Sequence, residues 1–350
     1  MTKSNTILLK NEKVTFEMAL EGSAFLKFEF QDQKLNPLDW SLPIERLPDT
    51  NIGSFPFRGQ FLCLGTWGMP TDGEKKAGLK FYGEVNTEVW DIVQTQTKET
   101  QQVITHCLEP NQQLEVLRTV TLSETAPVLE VTETVTNQLP IGRPYNMLQH
   151  ATFGGQFINQ KTIISSNAGK GFYQNGDYRR ATYEDIEATS YDWPMAQLPD
   201  VEVDLRPSKQ IEKTFNSSHI FPDSTTTAWA TIANREDGLL IGYIWDKKDY
   251  PWLNIWHQFE EGKVKGRALE FATCGMWQSF EYMMTTDSRF FGQNSFEFID
   301  AGETKSKSYK MFLLKIDKSF EGVDDIQFND TEIDISFTKS GQETKESIKY

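Results

Sequence analysis

The sequence predicts an all-β protein with few, short helices. Two observations support this prediction. Apolar and polar residues alternate with a period of two in many segments, and turn-forming residues separate these segments at fairly even spacing. Helical periodicity is rare, and the best candidate helix, at residues 183–188, is short. We therefore expect a sheet-based architecture with many strands.

The clearest pair of strands lies in residues 114–136, which read LEVLRTVTLSETAPVLEVTETVT. Apolar and polar residues alternate on both sides of Ala126-Pro127, which predicts two hairpin-connected strands, each with one solvated face. The polar C-terminal stretch from Lys318 is expected to hold one or two edge strands near residues 333–337 and a loose end. Comparable alternating runs predict strands at residues 25–30, 89–93, 228–232, 239–244 and 309–314.

Composition limits the class of protein and its partners. The 350 residues include 35 Lys and Arg against 50 Asp and Glu, which gives a formal charge of −15, and 13% are aromatic. This apolar and aromatic content is too high for a disordered chain. Because nucleic acids and anionic membrane surfaces carry negative charge, we expect neither as a partner. No linker-like composition appears, and the length fits either two ordinary domains or one large β domain.

The termini, the apolar segments and the cysteines lead to an expected location. The N-terminus lacks the apolar region and cleavage site of a signal peptide, and no stretch approaches the ~20 apolar residues of a membrane-spanning helix. The cysteines are odd in number and far apart in the sequence, which favours reduced thiols over a disulfide framework. They are Cys63, Cys107 and Cys274. We expect a cytoplasmic protein that is a monomer or a weak homodimer.

Several kinds of active site are not expected. The four histidines, His106, His150, His219 and His257, do not form a metal-binding signature. Glycine-rich nucleotide-binding motifs and the Gly-x-Ser-x-Gly motif of serine hydrolases are also missing. Metal, nucleotide and serine-nucleophile chemistry are therefore poor candidates.

What remains is a set of segments rich in aromatic, amide and carboxylate side chains. Such surfaces bind sugars, because aromatic faces cover apolar C–H patches and planar polar groups bridge neighbouring hydroxyls. The segments lie at residues 56–68, 82–90, 144–154, 250–257 and 267–273.

In this order the five segments resemble the galactose mutarotase-like (aldose 1-epimerase) superfamily, whose members fold as a large β-supersandwich. In that family an Asn precedes a His by a few residues, as Asn146 precedes His150 here. A later strand carries a Glu beside apolar residues, which corresponds to Glu270, and a Gly-Glu turn before the last long strand corresponds to residues 301–303. The resemblance covers about residues 20–316. It implies that residues 1–350 form a single domain with this core, and that an acidic, polar C-terminal extension spans residues 317–350.

The resemblance implies an aldose 1-epimerase, or mutarotase, that interconverts the anomers of a neutral monosaccharide or glycan terminus. This reaction removes a proton from the C1 hydroxyl and delivers one to the ring oxygen. By the family's pattern, Glu270 would be the general base and His150 the general acid, on opposite sides of the pyranose, with the imidazole protonated near pH 7. Because the chemistry is proton transfer alone, no cofactor is expected.

The same resemblance and the aromatic segments nominate further residues as substrate-binding. Tyr82 stands where the family has a histidine, and tyrosine is a poor acid at neutral pH. Asp192 competes with Asp246 for the family's substrate-binding Asp, and an ion pair between Arg58 and Glu84 is an equal alternative to sugar binding by either residue. The substrate-binding candidates are Arg58, Tyr82, Glu84, Asn146, Asp246, Trp252, Trp256, His257 and Arg267.

Two alternatives stay open at this point. The first is a non-catalytic carbohydrate-binding module, which would be consistent with Tyr82 in place of the histidine. The second is a phosphosugar mutarotase or another glycan-processing relative on the same fold, which should gather arginines near the cleft. The available arginines are Arg58, Arg143, Arg179, Arg180 and Arg267, and the net negative charge counts modestly against this alternative.

Overall fold

The computed structural model describes residues 5–46, 55–96, 101–174, 183–198, 201–210 and 212–350. In chain order the first strands are β1 (Thr6–Lys10), β2 (Val14–Ala19), β3 (Phe25–Phe30), β4 (Ser41–Leu42), β5 (Phe57–Arg58), β6 (Gln60–Gly65), β7 (Asp91–Gln96), β8 (Gln101–Leu108), β9 (Leu114–Leu122), β10 (Val128–Asn137), β11 (Arg143–Phe153), β12 (Thr162–Ser166) and β13 (Lys170–Gln174). They are followed by β14 (Tyr191–Asp192), β15 (Met195–Leu198), β16 (Val201–Asp204), β17 (Phe215–Ile220), β18 (Thr227–Asn234), β19 (Leu239–Asp246), β20 (Trp252–Glu260), β21 (Lys263–Ala272), β22 (Glu297–Ile299), β23 (Thr304–Lys315), β24 (Phe320–Phe328), β25 (Glu332–Lys339) and β26 (Gln342–Lys349).

Short helices complete the described part of the chain. The α-helices are α1 (Asp72–Lys76), α2 (Tyr183–Ala188) and α3 (Phe280–Thr285). The predicted helix at residues 183–188 is therefore confirmed as α2. None of the described helices is long and apolar enough to cross a membrane.

Two large sheets with antiparallel pairing form the sandwich. The first has eleven strands in the order β1-β2-β3-β6-β11-β21-β20-β17-β13-β14, with β22 paired beside β11. The second has eight strands in the order β12-β18-β19-β23-β10-β9-β8-β7. The predicted all-β class is confirmed, and so is the hairpin pair in residues 114–136, which becomes β9 and β10 paired from Leu122–Leu129 to Leu114–Asn137. The strand predicted from residue 89 begins two residues later, at Asp91.

Alternation along the strands builds the main core between the two sheets. In β11, Met147, Ala151 and Phe153 point into this core, and in β21 Leu269 and Phe271 do the same. The intervening residues of these strands therefore point to the outer face of the eleven-stranded sheet. A second apolar cluster lies on that outer face. This face carries the candidate site.

The C-terminal residues form a small sheet rather than edge strands of the sandwich and a loose end. Strands β24, β25 and β26 pair with one another in an antiparallel three-stranded sheet. Their apolar side chains, among them Ile326, Ile335 and Phe337, pack on the outer face of the eight-stranded sheet. This packing explains why the alternation in residues 333–337 is regular: one face is buried and the other is solvated.

Candidate active site

His150 and Glu270 lie side by side on the outer face of the eleven-stranded sheet. They are directly opposite each other in the register of β11 and β21. The His150 Nε2 atom lies 3.4 Å from the Glu270 Oε1 atom. Directly opposed residues on adjacent strands have Cβ atoms about 4.5–5.5 Å apart, so the register brings the two side chains within reach of each other. The pair does not leave a sugar-sized gap between the two groups, as an arrangement on opposite sides of a pyranose would.

Burial sets the protonation of the pair. The relative exposure of His150 is 4% and that of Glu270 is 2%. Loss of hydration lowers the pKa of His150 to about 3 and raises the pKa of Glu270 to about 8. At neutral pH the imidazole is therefore neutral and the carboxyl keeps its proton, in contrast to the expected protonated imidazole. The pair holds one exchangeable proton on the carboxyl.

Neighbouring polar groups orient the His150 imidazole and hold the backbone at Glu270. The His150 Nδ1 atom lies 2.7 Å from the hydroxyl of Thr152, two residues along the same face of β11. This hydrogen bond to Thr152 fixes the orientation of the imidazole ring and directs Nε2 toward Glu270. Asn254 lies opposite Glu270 on β20 and donates from Nδ2 to the carbonyl oxygens of Glu270 (3.4 Å) and Cys274 (3.0 Å).

One buried oxygen of the site has no hydrogen-bond partner among the described residues. Glu270 Oε2 is buried and accepts no hydrogen bond there. A buried carboxyl oxygen without a partner is costly, and such atoms often face a ligand. Glu270 therefore offers a free acceptor beside the imidazole.

Aromatic rings surround His150. Phe61 stacks on the His150 ring with centroids 4.5 Å apart and planes inclined by 15°. The Tyr82 ring lies 5.5 Å from His150 and the Trp256 ring lies 6.4 Å from it. Trp256 in turn meets Trp40 edge-on at 5.7 Å. Of the predicted binding residues, Tyr82 and Trp256 thus lie at the His150 ring, and their faces suit the apolar side of a sugar.

Asn146 and Trp252 lie on the same outer face but farther along their strands. Asn146 precedes His150 by four residues, is 1% exposed, and accepts from the Thr273 hydroxyl at 3.4 Å. Its Nδ2 atom is buried without a partner among the described residues. Trp252 is fully buried and donates from Nε1 to the Asn294 carbonyl at 2.7 Å. Trp252 therefore packs as a structural residue.

Arg58 and Glu84 do not pair with each other. Arg58 forms an ion pair with Glu21, in which Nη2 lies 2.9 Å from Oε2. Glu84 is completely buried, and its carboxylate accepts hydrogen bonds from the turn at residues 111–112. Neither side chain is directed by these contacts toward His150.

His257 and Arg267 lie on the other side of the sheet from the pair. They face each other in the register of β20 and β21, and each stands an odd number of residues from Trp256 and Glu270 respectively. Alternation therefore turns both toward the sandwich interior. Arg267 is 0% exposed and donates to the carbonyl oxygens of Arg206 and Leu205 at 2.7 and 2.6 Å, so its role here is to hold that segment.

Asp246 lies at the end of β19 in the other large sheet. It forms an ion pair with Lys248 at 2.6 Å and lines a separate cavity of about 590 Å³ with Lys247, Thr273 and Glu297. The competing candidate, Asp192, pairs with Lys170 at 3.0 Å on the exposed surface. Within the ranges that the structure describes, no group of three or more His, Cys, Asp or Glu side chains could hold a metal ion.

Three residues of the site are absent from the predicted set: Phe61, Thr152 and Asn254. Each lies within one of the five segments, and two of the three can be predicted from alternation. Thr152 shares a face with His150 because it is two residues away, and Asn254 shares a face with Trp256 for the same reason. Phe61 requires the register of β6 with β11, which places it opposite His150.

Comparison with known proteins agrees with this geometry at the level of the fold. No protein-family model and no curated protein sequence matches the chain. A galactose mutarotase-like protein from Lactobacillus casei aligns over 88% of this chain and 100% of its own, with a TM-score of 0.60 and 14% identity. One from Clostridium acetobutylicum aligns over 89% and 95%, with a TM-score of 0.61 and 13% identity.

A third solved structure, the galactose mutarotase related enzyme from Lactobacillus acidophilus, aligns over 89% of this chain and 98% of its own. Its TM-score is 0.61 and its identity is 11%. At such identities the likeness establishes the shared architecture. The chemistry depends on the side chains of the candidate site.

Proposed function

The chain has the galactose mutarotase-like fold, and from this premise we propose that it interconverts the anomers of a neutral sugar, with His150 and Glu270 exchanging the protons. The contact of 3.4 Å between these two groups on one sheet face is the observation that carries the proposal. The free acceptor at Glu270 Oε2 and the aromatic rings around His150 support it.

Proximity of the acid and the base suits this reaction. The two oxygens that exchange protons, O1 and the ring oxygen O5, are both bonded to C1. Two neighbouring catalytic groups can therefore reach one oxygen each without enclosing the pyranose from opposite sides. The pair needs one proton in total, and the protonation described above supplies one.

Ring opening and ring closure use the same two protons. His150 accepts the proton of O1–H, the electron pair of that bond forms the C1=O1 double bond, and the C1–O5 bond breaks. Glu270 gives its proton to O5, which yields the open-chain aldehyde. After rotation about C1–C2, O5 attacks the other face of C1 and returns its proton to Glu270, while O1 recovers a proton from His150. Burial places the resting proton on Glu270, so the acid and base roles are exchanged relative to those that the resemblance implied.

A neutral sugar is favoured over a phosphosugar because three of the five candidate arginines are held elsewhere. Arg58 pairs with Glu21, Arg143 donates to Gln112, and Arg267 faces the interior. The other two arginines considered above, Arg179 and Arg180, lie outside the described residues. The formal charge of −15 also disfavours an anionic substrate.

The test is to follow anomeric proton signals by NMR with glucose, galactose and their 6-phosphates. We expect wild-type protein to accelerate anomer exchange of a neutral sugar, and Glu270→Gln and His150→Gln to lose about 100-fold or more. The matched control is the other His–Glu contact, His106 to Glu115 at 2.9 Å, which is partly exposed. Glu115→Gln should keep full activity.

Other results would redirect the proposal. Sugar binding with no acceleration in the wild type would indicate a binding module. Acceleration confined to the 6-phosphates would contradict the neutral substrate. Equal activity in Glu270→Gln and wild type would remove the pair from the mechanism.

A further inference from the structure

The backbone at Tyr82 adopts a conformation that bulky residues rarely adopt. Its φ is +63°, and the next residue, Gly83, has a φ of +81°. A left-handed tyrosine is an outlier that the surrounding structure must enforce. It occurs at the turn whose ring lies 5.5 Å from the His150 ring. Three sets of contacts hold the turn in this conformation.

Close packing on β6 is the first of these contacts. Gly83 pairs with Leu64, and a Cβ atom at position 83 would lie 1.8 Å from the Leu64 carbonyl oxygen. The Tyr82 carbonyl oxygen is held by the Asn86 side-chain amide at 2.7 Å. The turn is thus pressed on the strand that also carries Phe61, the ring stacked on His150.

The buried carboxylate of Glu84 is the second contact. Its oxygens accept from the Asn111 backbone N–H at 2.9 Å, the Asn111 side-chain amide at 2.6 Å and the Gln112 N–H at 3.1 Å. The Glu84 N–H also donates to Glu109 Oε1 at 3.0 Å. The Lys80 ammonium also lies 4.0 Å from Glu84 Oε1. With 0% exposure and these partners inside the protein, the carboxylate is not accessible to a sugar hydroxyl.

The third contact returns to the strand that carries His150. Arg143, the first residue of β11, donates to the Gln112 carbonyl at 2.6 Å and to its side-chain oxygen at 2.9 Å. Hydrogen bonds, the backbone and one ring contact together form a closed path. They run from β11 through Gln112 to Glu84, along the chain to Tyr82, and by ring contact back to His150 on β11.

We propose that Glu84 is a positioning residue that fixes the Tyr82 ring against His150 through this path. Tyr82 then forms one wall of the sugar site at a set distance from the imidazole, and the wall determines how the sugar is oriented. This inference deepens the proposed function and depends on it only for the kinetic measurements.

The experiment compares Glu84→Gln and Asn111→Ala in the wild-type and Tyr82→Ala backgrounds. The first readout is the set of His150 ring-proton signals in sugar-free protein, which ring currents from Tyr82 and Phe61 displace. The second is the split between KM and kcat for the neutral sugar. We expect Glu84→Gln to move the His150 signals and to raise KM about tenfold, with kcat changed by less than about threefold. Asn111→Ala should act in the same direction but less strongly.

The double variant decides between positioning and other roles. If Glu84 acts through Tyr82, Glu84→Gln should change KM by less than about twofold once Tyr82 is alanine. A full effect in that background, or unmoved His150 signals in Glu84→Gln, would overturn the proposal. Should Glu84→Gln fail to fold, Asn111→Ala and Glu84→Asp give the same comparison. Glu115→Gln should move the His106 signals alone.

The two proposals fail in different ways. If no sugar is turned over by the wild type, the proposed catalysis fails, but the His150 signals still report whether Glu84 holds Tyr82. If turnover is seen and the signals do not respond to Glu84, catalysis stands and the positioning role is wrong.

Discussion

Glu270 shows how burial, rather than a charged neighbour, determines the chemistry of one residue. Its pKa is raised from the ordinary 4.5 to about 8 by loss of hydration, while that of His150 falls from 6.5 to about 3 for the same reason. Such displaced values are frequent at functional sites. They also link folding to pH in a way that can be measured apart from activity.

The first stability prediction concerns Glu270→Gln. Between about pH 4.5 and 8 the folded carboxyl holds a proton that the unfolded one has lost, so this group lowers the free energy of unfolding as pH rises. Removing it should make the variant gain stability relative to wild type from pH 5 to pH 8, by at least ~1 kcal/mol. Urea unfolding across this range provides the measurement.

His150 contributes with the opposite sign and in a lower window. Its pKa is lower in the folded than in the unfolded protein, so its contribution to the free energy of unfolding increases between about pH 3 and 6.5. The contribution is fully present above pH 6.5. The contribution of Glu109, whose pKa burial also raises to about 8, is common to both proteins and cancels in the difference. A pH-independent difference between Glu270→Gln and wild type would contradict the assigned protonation.

At the scale of strands, the sequence predicted the elements better than the contacts between them. Strand β3 begins and ends at the predicted residues, 25 and 30, and β19 begins at the predicted residue 239. Period-two alternation is a local property of the chain, so it can be read without knowing the partner strand.

Contacts between strands were harder to predict. Arg267 and His257 belong to segments that contribute to the site. Alternation places them on the other face of the sheet from Glu270 and Trp256, and applying the period of two within each segment would have excluded them from the site. The partner of Arg58 is Glu21, which is distant in the sequence, so no local pattern predicts this ion pair. Protonation of the pair depends on burial, which only the packed sheet provides.

Strands β10 and β11 also carry a buried polar network, and this gives a second prediction. Glu133 is 0% exposed and accepts from Arg118 at 2.7 Å and from Gln149 at 2.5 Å. Glu133→Gln would leave the buried guanidinium without its counter-charge and should lower the free energy of unfolding by about 3–5 kcal/mol. Urea unfolding at neutral pH measures it.

The matched control lies on the same strand. Glu130 is paired with Lys310 at 3.0 Å, but its side chain is 53% exposed. Glu130→Gln should cost no more than ~1 kcal/mol, because exposed pairs contribute little. If the two variants lose similar stability, the buried pair of Arg118 and Glu133 contributes no more to the free energy of unfolding than the exposed pair does.

At the scale of the whole molecule, the C-terminal sheet is a cover for the sandwich. Strands β24–β26 bury apolar side chains of the eight-stranded sheet, including Trp229, Leu240 and Phe312. Removing residues 318–350 would expose these side chains as a contiguous apolar patch, which in soluble proteins leads to association.

The third prediction follows from that exposure. A chain ending at Asp317 should aggregate or self-associate and melt at a lower temperature, as light scattering and thermal unfolding would show. Lys345→Ala, a change on the exposed β26 strand, serves as the control and should leave both properties unchanged. A monodisperse truncated chain with an unaltered melting temperature would show that the sheet is dispensable.

The buried network around Gln149 has one more consequence. Gln149 and His150 are neighbours in β11, and they point to opposite faces. The Gln149 side chain contacts Glu133, Tyr250 and Tyr309 in the interior. A slip of β11 by one residue would reverse the faces of both side chains, so Gln149 would lose these interior partners and His150 would leave the outer face. The interior contacts of Gln149 therefore stabilise the register of β11 that places His150 on the outer face.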